Sequence, residues 1–294
     1  MRSPAGGERR VLWWMLAPFL VGVVALVLVP AAVTLGLALF DYDLVRSPDW
    51  IGIGNFRELV GDDIFRISLR NSMAFAALAV PLRLAGALAL ALLLHRRGRL
   101  AGASRAAVFV PTVVPDVAYG LVWLWLLNPL YGPVNLVLGA LGAPTPSWLT
   151  EPAAAQAAVI VMSLFTVGEG FLILLAARAQ IPSQVYDLGR LDGAGAWLLF
   201  RGVTLPMLAP TLLLLAARDT IFAFQASFVP ALVVTGGGPP PFSTTYLPVF
   251  VYQNAFEYLR YGYAAAATVV MLGVTALMLV VQASVLRRRR LFWV

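Results

Sequence analysis

Long apolar runs separated by short polar punctuation set the rhythm of this chain. Runs of about 20 or more mostly apolar residues, the length a lipid-spanning helix needs, occur at roughly 11–40, 72–94, 106–128, 153–177, 203–228 and 263–286. The pattern predicts an all-α polytopic membrane protein with six spanning helices in one transmembrane domain over 1–294, and no separable soluble domain. Pro18, Pro30, Pro81, Pro111 and Pro115 fall inside these runs, which embedded helices tolerate when neighbours satisfy the freed carbonyls. The first run is read as a retained helix, being too long for a signal-peptide core.

Composition agrees: hydrophobic residues make up 61% and charged ones 12%, about half the charged fraction of a soluble domain. The net charge of +7 sits in short clusters between apolar runs, not on a hydrophilic face, which speaks for membrane topology over nucleic-acid binding. Arg2, Arg9 and Arg10, then Arg96, Arg97, Arg99 and Arg105, then Arg178, Arg190 and Arg201, then Arg287 to Arg290 fall on one set of flanks. The opposite flanks carry Arg46, Arg57, Arg66, Arg70 and Arg260 among Asp41, Asp43, Asp49, Glu58, Asp62, Asp63, Glu151 and Glu257. The positive-inside rule then puts both termini in the cytoplasm, which needs an even number of spans. All the basic residues apart from one histidine are arginine, so a P-loop lysine for nucleotide phosphates is missing. Cysteine is absent, excluding disulfides and thiolate chemistry. No nucleophile–histidine–acid set or metal cluster stands out; His95, the one histidine, reads as an interfacial residue at a helix end. The chain is expected to be non-catalytic and to bind no cofactor.

One stretch breaks the rhythm. "IPSQVYDLGRLDGAGAWLLFRGVTLPML" (Ile181 to Leu208) lies between the fourth and fifth runs. Pro182 suits a first helical turn; Val185, Leu188 and Leu191 recur as an apolar stripe; Gly193 and Gly195 then break the helix. This predicts a compact helix and turn at the cytoplasmic side, which either packs against a partner protein or holds spans four and five together.

The stretch resembles the EAA loop of bacterial ABC importer permeases. Asp187, Leu188 and Gly189 stand at the Glu-Ala-Ala positions, Asp192, Gly193 and Ala194 match Asp-Gly-Ala, and Phe200, Leu205 and Pro206 match the tail. An aspartate in place of the usual glutamate and the loss of both alanines are departures. Elsewhere, "IGIGNF" (Ile51 to Phe56), the stretch Arg105 to Asn135 with Trp123, Asn128, Pro129, Gly132 and Asn135, and "TGGGP" (Thr235 to Pro239) followed by Ala255 to Ala266 resemble the sugar-type branch, similar to maltose and glycerol-3-phosphate permease subunits. The resemblance implies the type I importer fold and one of two permease subunits, usually distinct. It also implies two separate ATPase subunits that use ATP and Mg, and an external substrate-binding protein. Val185 to Ala194, with Tyr186, Asp187, Gly189, Asp192, Gly193 and Ala194, would be a coupling helix seated in the ATPase, hinged at Gly189, Gly193 and Gly195, with Pro206 as the return anchor of a coupling loop over about 181–206. Gly236, Gly237, Gly238 and Pro239 would meet the binding protein.

Ionisable residues inside a membrane mark functional sites by default. Arg83, Asp116, Glu169, Arg218 and Asp219 fall near mid-span on runs two to five. Arg83 and Arg218 suit a buried ion-pair network, whereas Asp116, Glu169 and Asp219 suit a solute's hydroxyls, with Tyr119, Phe165 and Phe222 covering its apolar faces. Phe165 and Glu169, and Asp219 and Phe222, are spaced to share helix faces. The resemblance places substrate contacts at the depth of Glu169 and Asp219. The alternatives are a gradient-driven secondary transporter with the three acids as a proton relay, for which no internal repeat is found, and a membrane enzyme working through paired carboxylates.

Overall fold

The computed structural model describes residues 6–95, 98–239 and 242–288, without the side chains of 6–10, 99, 100, 226 and 285–288. Arg2, Arg96, Arg97, Arg289 and Arg290 of the basic clusters thus lie outside the described residues. Packing divides the chain into two compact units, one of residues up to Asp62 with Val251–Val270, the other of Asp63–Phe250 with the residues from Met271 onward.

In the first unit the long apolar helix Val11–Leu37 buries none of its side chains within the chain, as expected for a surface made for lipid or another subunit. Phe40–Asp41 and Asp49–Trp50 follow as a two-residue antiparallel ribbon, Phe40 opposite Trp50, their rings edge to face at 5.0 Å. Its tip is an Asx turn: Asp43 Oδ1 accepts the backbone N–H groups of Val45 and Arg46 at 3.0 and 2.9 Å, and these donors, that of Arg46 foremost, hold the carboxyl below its ordinary pKa. The turn carries Leu44 at φ 65°, outside its comfortable range. Asn55, the polar residue of "IGIGNF", is buried and donates to the carbonyls of Ala38 and Phe40 at 3.0 and 2.9 Å. Gly262 closes the knot: its N–H reaches Tyr42 O at 3.2 Å, and a Cβ there would lie 2.0 Å from Phe40 O. Because a backbone oxygen cannot rotate away, Gly262→Ala is expected to destabilise the protein by about 1–3 kcal/mol, read as a drop in thermal unfolding temperature of the purified protein. Gly61→Ala, where nothing lies within 4 Å of the new methyl, serves as the control.

The second unit is built around the 31-residue helix Asp63–Leu93. The apolar run foretells its lipid-depth part from 72; the helix itself starts nine residues earlier, where Asp63 sits in the first turn and favours the positive end of the helix dipole. Its buried face runs Phe65, Ser68, Ser72, Phe75, Ala79, Arg83, Ala87 and Ala91, steps of three and four that keep one side inward. The small residues among them let neighbouring backbones approach. Ala87 and Ala91 pack with Val167, Phe171, Leu174 and Leu215 in one apolar cluster.

In the second unit, three spans are less regular than continuous helices over the expected runs. The third is Ala101–Val113 followed by Asp116–Leu126, bent by 104°. Pro115 is the cause: it takes ψ 136° and forces Val114 before it into extended backbone at ψ 130°, as proline does to its predecessor. Pro18 and Pro81, by contrast, are absorbed within helices. The fourth span breaks into Pro152–Phe165 and Gly168–Ala179 with a 43° bend. Here Gly168 meets the third span so closely that a Cβ would lie 2.8 Å from Phe109 Cα and Val108 O. The fifth runs over Ala196–Val234 and widens into single π-turns at Phe200–Thr204 and Pro230–Val234.

Candidate functional site: a charged cleft and a polar turn

Spans two to five enclose an open cleft of about 760 Å³, lined among others by Phe75, Arg83, Pro111, Thr112, Asp116, Tyr119, Thr166, Glu169, Arg218 and Phe222. Each charged group is set by the helix that carries it. Arg83, on the inward face of Asp63–Leu93, is 7% exposed. Its Nε–H donates to Asp219 Oδ2 at 3.3 Å, while Nη1 donates to Ser163 O and to Thr166 Oγ1 at 2.8 Å, and Nη2 to Thr166 O at 3.1 Å. These acceptors lie at the break in span four, where the end of Pro152–Phe165 leaves carbonyls without helical partners. One guanidinium therefore neutralises a buried acid and closes a helix break. The planar fork of arginine suits both tasks; an ammonium lacks that reach and shape.

Arg218 completes the network. It donates to Asp219 Oδ1 at 3.1 Å and to Glu169, and its guanidinium lies over the Phe222 ring at 5.5 Å. The four charges of Arg83, Arg218, Glu169 and Asp219 cancel, as unpaired charge at this depth would be costly. Asp219, with each carboxylate oxygen held by a guanidinium, is a pivot of the network and is not among the cleft-lining residues. Glu169 lines the cleft but is paired. Asp116 differs: it is exposed, opens the helix after the 104° break, and no described side chain or backbone group partners its carboxylate.

The expected aromatic lining divides. Tyr119 lines the cleft and donates to Met162 O at 2.7 Å; Phe222 lines it from span five. Phe165 does not share a helix face with Glu169, because the break at Thr166 and Val167 falls between them. It packs edge-on against Trp123 at 5.2 Å. Thr112, Ser163 and Thr166 join the site unforeseen; hydroxyls at a helix break bond backbone and leave no mark in hydropathy.

The polar turn holds a nine-residue helix, Ser183–Leu191, preceded by Pro182, which has extended ψ 137° and so sits just outside the first turn. Gly193, at φ 80°, closes it: Ala194 N–H reaches Gly189 O at 2.9 Å and Gly193 N–H reaches Arg190 O at 3.0 Å, the paired bonds of a Schellman ending. The three glycines do not share one hinge role. Gly189 is a packing glycine, since a Cβ there would come 2.5 Å from Leu199 Cδ2, and Gly195, at φ −72°, has open space beside it. The stripe of Val185, Leu188 and Leu191 does not face inward either. Tyr186 is the buried residue, clustered with Ile181, Leu199 and Leu208; its hydroxyl meets Thr204 Oγ1 at 2.9 Å and Arg178 stacks on its ring at 4.4 Å. Leu188 and Leu191 are 63% and 84% exposed, with Trp197 and Leu198 also exposed nearby in sequence. Asp187 pairs with Arg190 at 3.0 Å on the open surface. Asp192 ends the helix, and Pro206 starts the long helix of span five after the π-turn.

Gly236, Gly237 and Gly238 all take positive φ, at 59°, 86° and 90°. The loop winds back on itself, Thr245 Oγ1 donating to Gly237 O at 2.6 Å and Thr235 meeting Thr244 hydroxyl to hydroxyl at 2.5 Å. Of the four residues expected to meet a binding protein, Gly236 is exposed, Gly237 is buried, and Gly238 and Pro239 are half-buried.

Comparison with known proteins places this geometry. Residues 84–291 match the family model described as a binding-protein-dependent transport system inner membrane component. The chain is 31% identical over 266 residues to the probable ABC transporter permease protein YesP of Bacillus subtilis, covering 89% of this chain and 85% of that one. It is 30% identical over 254 residues to the trehalose/maltose transport system permease protein MalF of Thermococcus litoralis, covering 85% and 86%. Among solved structures, a bacterial alginate ABC transporter in complex with an alginate-bound periplasmic protein contains a chain that superposes with a TM-score of 0.82 at 20% identity over 96% of both chains, a likeness of fold. With two thirds of the sequence inside one family model and the spans arranged as in a solved importer, the chain belongs to the binding-protein-dependent transport system inner membrane components, the permease subunits of ABC importers.

Proposed function

We propose that this permease subunit imports a saccharide or related polyol through the charged cleft, together with a second, distinct permease subunit. Two separate ATPase subunits supply ATP and Mg chemistry, an external binding protein delivers the solute, and both termini face the cytoplasm. The carrying observation is the helix Ser183–Leu191, anchored by the buried Tyr186 while its leucines point outward. An internal connector would bury that stripe; a docking surface leaves it open. ATP-driven closure of the ATPase pair acts through this helix only insofar as one transporter state is favoured over the other. Relatives named as lactose and as sulfoquinovosyl glycerol permeases support a carbohydrate, and the absence of a P-loop lysine supports ATP binding elsewhere.

In the cleft, Asp116 is the acceptor open to a solute hydroxyl, while Glu169 acts through its pair with Arg218; Tyr119 and Phe222 supply apolar contact. Asp116→Ala is expected to lower uptake of the transported sugar about tenfold, the worth of a hydrogen bond to a charged group, while assembly with the ATPase stays intact. Unchanged uptake in both Asp116→Ala and Glu169→Ala, measured with radiolabelled sugar in whole cells, would remove the cleft from the solute's path. The gradient-driven reading would require uptake by the chain without an ATPase.

A further inference from the structure

A second cavity lies at the end of spans two, three and four nearest the polar turn. It is an open pocket of about 520 Å³, its mouth included, lined by His95, Arg105, Leu175, Arg178, Ala179 and Ile181. Among the described residues half the lining is basic, half apolar, and none is acidic.

Part of that charge has local work. Arg105 donates its Nε–H and an Nη2–H to Leu94 O at 2.9 and 2.7 Å, and His95 Nδ1 bonds Leu92 O at 2.6 Å, so both cap the end of Asp63–Leu93. The carbonyl oxygen can only accept, which puts the proton on Nδ1. Arg178 stands in the last turn of Gly168–Ala179. The end of Gly168–Ala179, however, presents only about half a negative charge, against the full guanidinium charge of Arg178. Arg178 has no carboxylate within ion-pair distance among the described residues. The surplus is cationic, partly buried, and placed where a membrane surface lies for a chain with these spans.

We propose that this cavity is a binding site for a phosphate-bearing anion, occupied by the headgroup of an acidic phospholipid from the leaflet on the side of the polar turn. Guanidinium groups offer paired N–H donors that match phosphate oxygens, and basic pockets between spanning helices suit acidic headgroups. Leu175, Ala179 and Ile181 provide the apolar wall that an amphiphile uses and a free phosphate does not. The site also touches the turn: Arg178 faces the cavity and stacks on Tyr186, and Ile181 packs in the same cluster as Tyr186. A bound headgroup fixes Arg178 over Tyr186 and stiffens the seat of Ser183–Leu191.

The test uses the assembled importer reconstituted in vesicles of phosphatidylcholine with or without phosphatidylglycerol, and native mass spectrometry of retained lipid, for the natural protein, for Arg105→Gln/Arg178→Gln, and for Arg105→Lys/Arg178→Lys. Retention of phosphatidylglycerol is expected to fall about fivefold for each arginine neutralised and to recover in large part in the lysine variant, which keeps charge but loses the planar cap on Leu94 O. Retention that survives excess inorganic phosphate supports the lipid headgroup; displacement by phosphate, or phosphate bound in phosphatidylcholine alone, moves the source to a soluble anion at the same site. Equal retention of phosphatidylglycerol and equal phosphate binding by the natural and glutamine proteins would overturn the proposal. Should the double glutamine variant fail to assemble, Arg178→Gln alone gives the same reading, because Arg105 then still caps its helix.

Discussion

Arg83→Ala is expected to be the most destabilising single substitution in the chain, by about 3–5 kcal/mol, the usual cost of removing one partner from a buried ion pair. Two losses combine. Asp219 keeps only Arg218 as its counter-charge, and at the break in span four Thr166 O loses its guanidinium donor, while Ser163 O is left with the Thr166 hydroxyl and N–H. Thermal unfolding of the purified importer in detergent measures the effect. Arg83→Lys should fall between, since an ammonium serves Asp219 or the carbonyls but does not span both. An Arg83→Ala protein as heat-resistant as the natural one would show that water or lipid takes over these acceptors, and that the guanidinium does not hold the bend.

The second large effect belongs to the polar turn. Leu191→Glu, alone or with Leu188→Glu, is expected to abolish association with the ATPase subunits, a loss of about 2 kcal/mol or more, that is thirtyfold or greater, as for a central interface residue. Insertion and stability of the permease should barely change, because both side chains are largely exposed and surface substitutions typically stay within about 0.5 kcal/mol. Co-purification of tagged subunits reads the first outcome and uptake the second. Normal uptake by the double variant would leave the exposed stripe without its assigned role. Gly193→Trp gives a separate check on the turn itself: an added Cβ meets nothing within 4 Å, but φ 80° resists any side chain with a Cβ, so co-purification with the ATPase subunits is expected to be lost.

Much of this was legible in hydropathy because lipid imposes a length and a polarity on any helix that crosses it. The six runs, the polar turn and the mid-span charges follow from that constraint. What hydropathy did not carry is backbone geometry. The apolar run 106–128 reads the same whether straight or bent by 104°, and only the pairing of Pro115 with a restricted Val114 separates the two. The break between Phe165 and Gly168 was hidden because Thr166 and Val167 are unremarkable residues; a helical spacing rule therefore joined Phe165 to Glu169 wrongly. The charge network could be proposed from composition at mid-span, yet its wiring could not, since Arg83 and Asp219 are 136 residues apart. On the turn, periodicity found the leucine stripe and left its direction open. A short helix at a membrane edge has two neighbours to choose between, its own chain and a partner, and the residue it turns to its own chain is Tyr186, with its hydroxyl on Thr204.

Among the spans of the second unit, Asp63–Leu93 is the longest α-helical rod free of π-turns and breaks, and spans four and five both lie along it. Pro81 sits within it two residues before Arg83, and lacking an N–H it forgoes the bond to the carbonyl of Ala77. The missing bond weakens that one turn of an otherwise fully bonded rod, beside the ion pair that ties it to Asp219, so bending of the rod is expected to centre on the turn next to that tie.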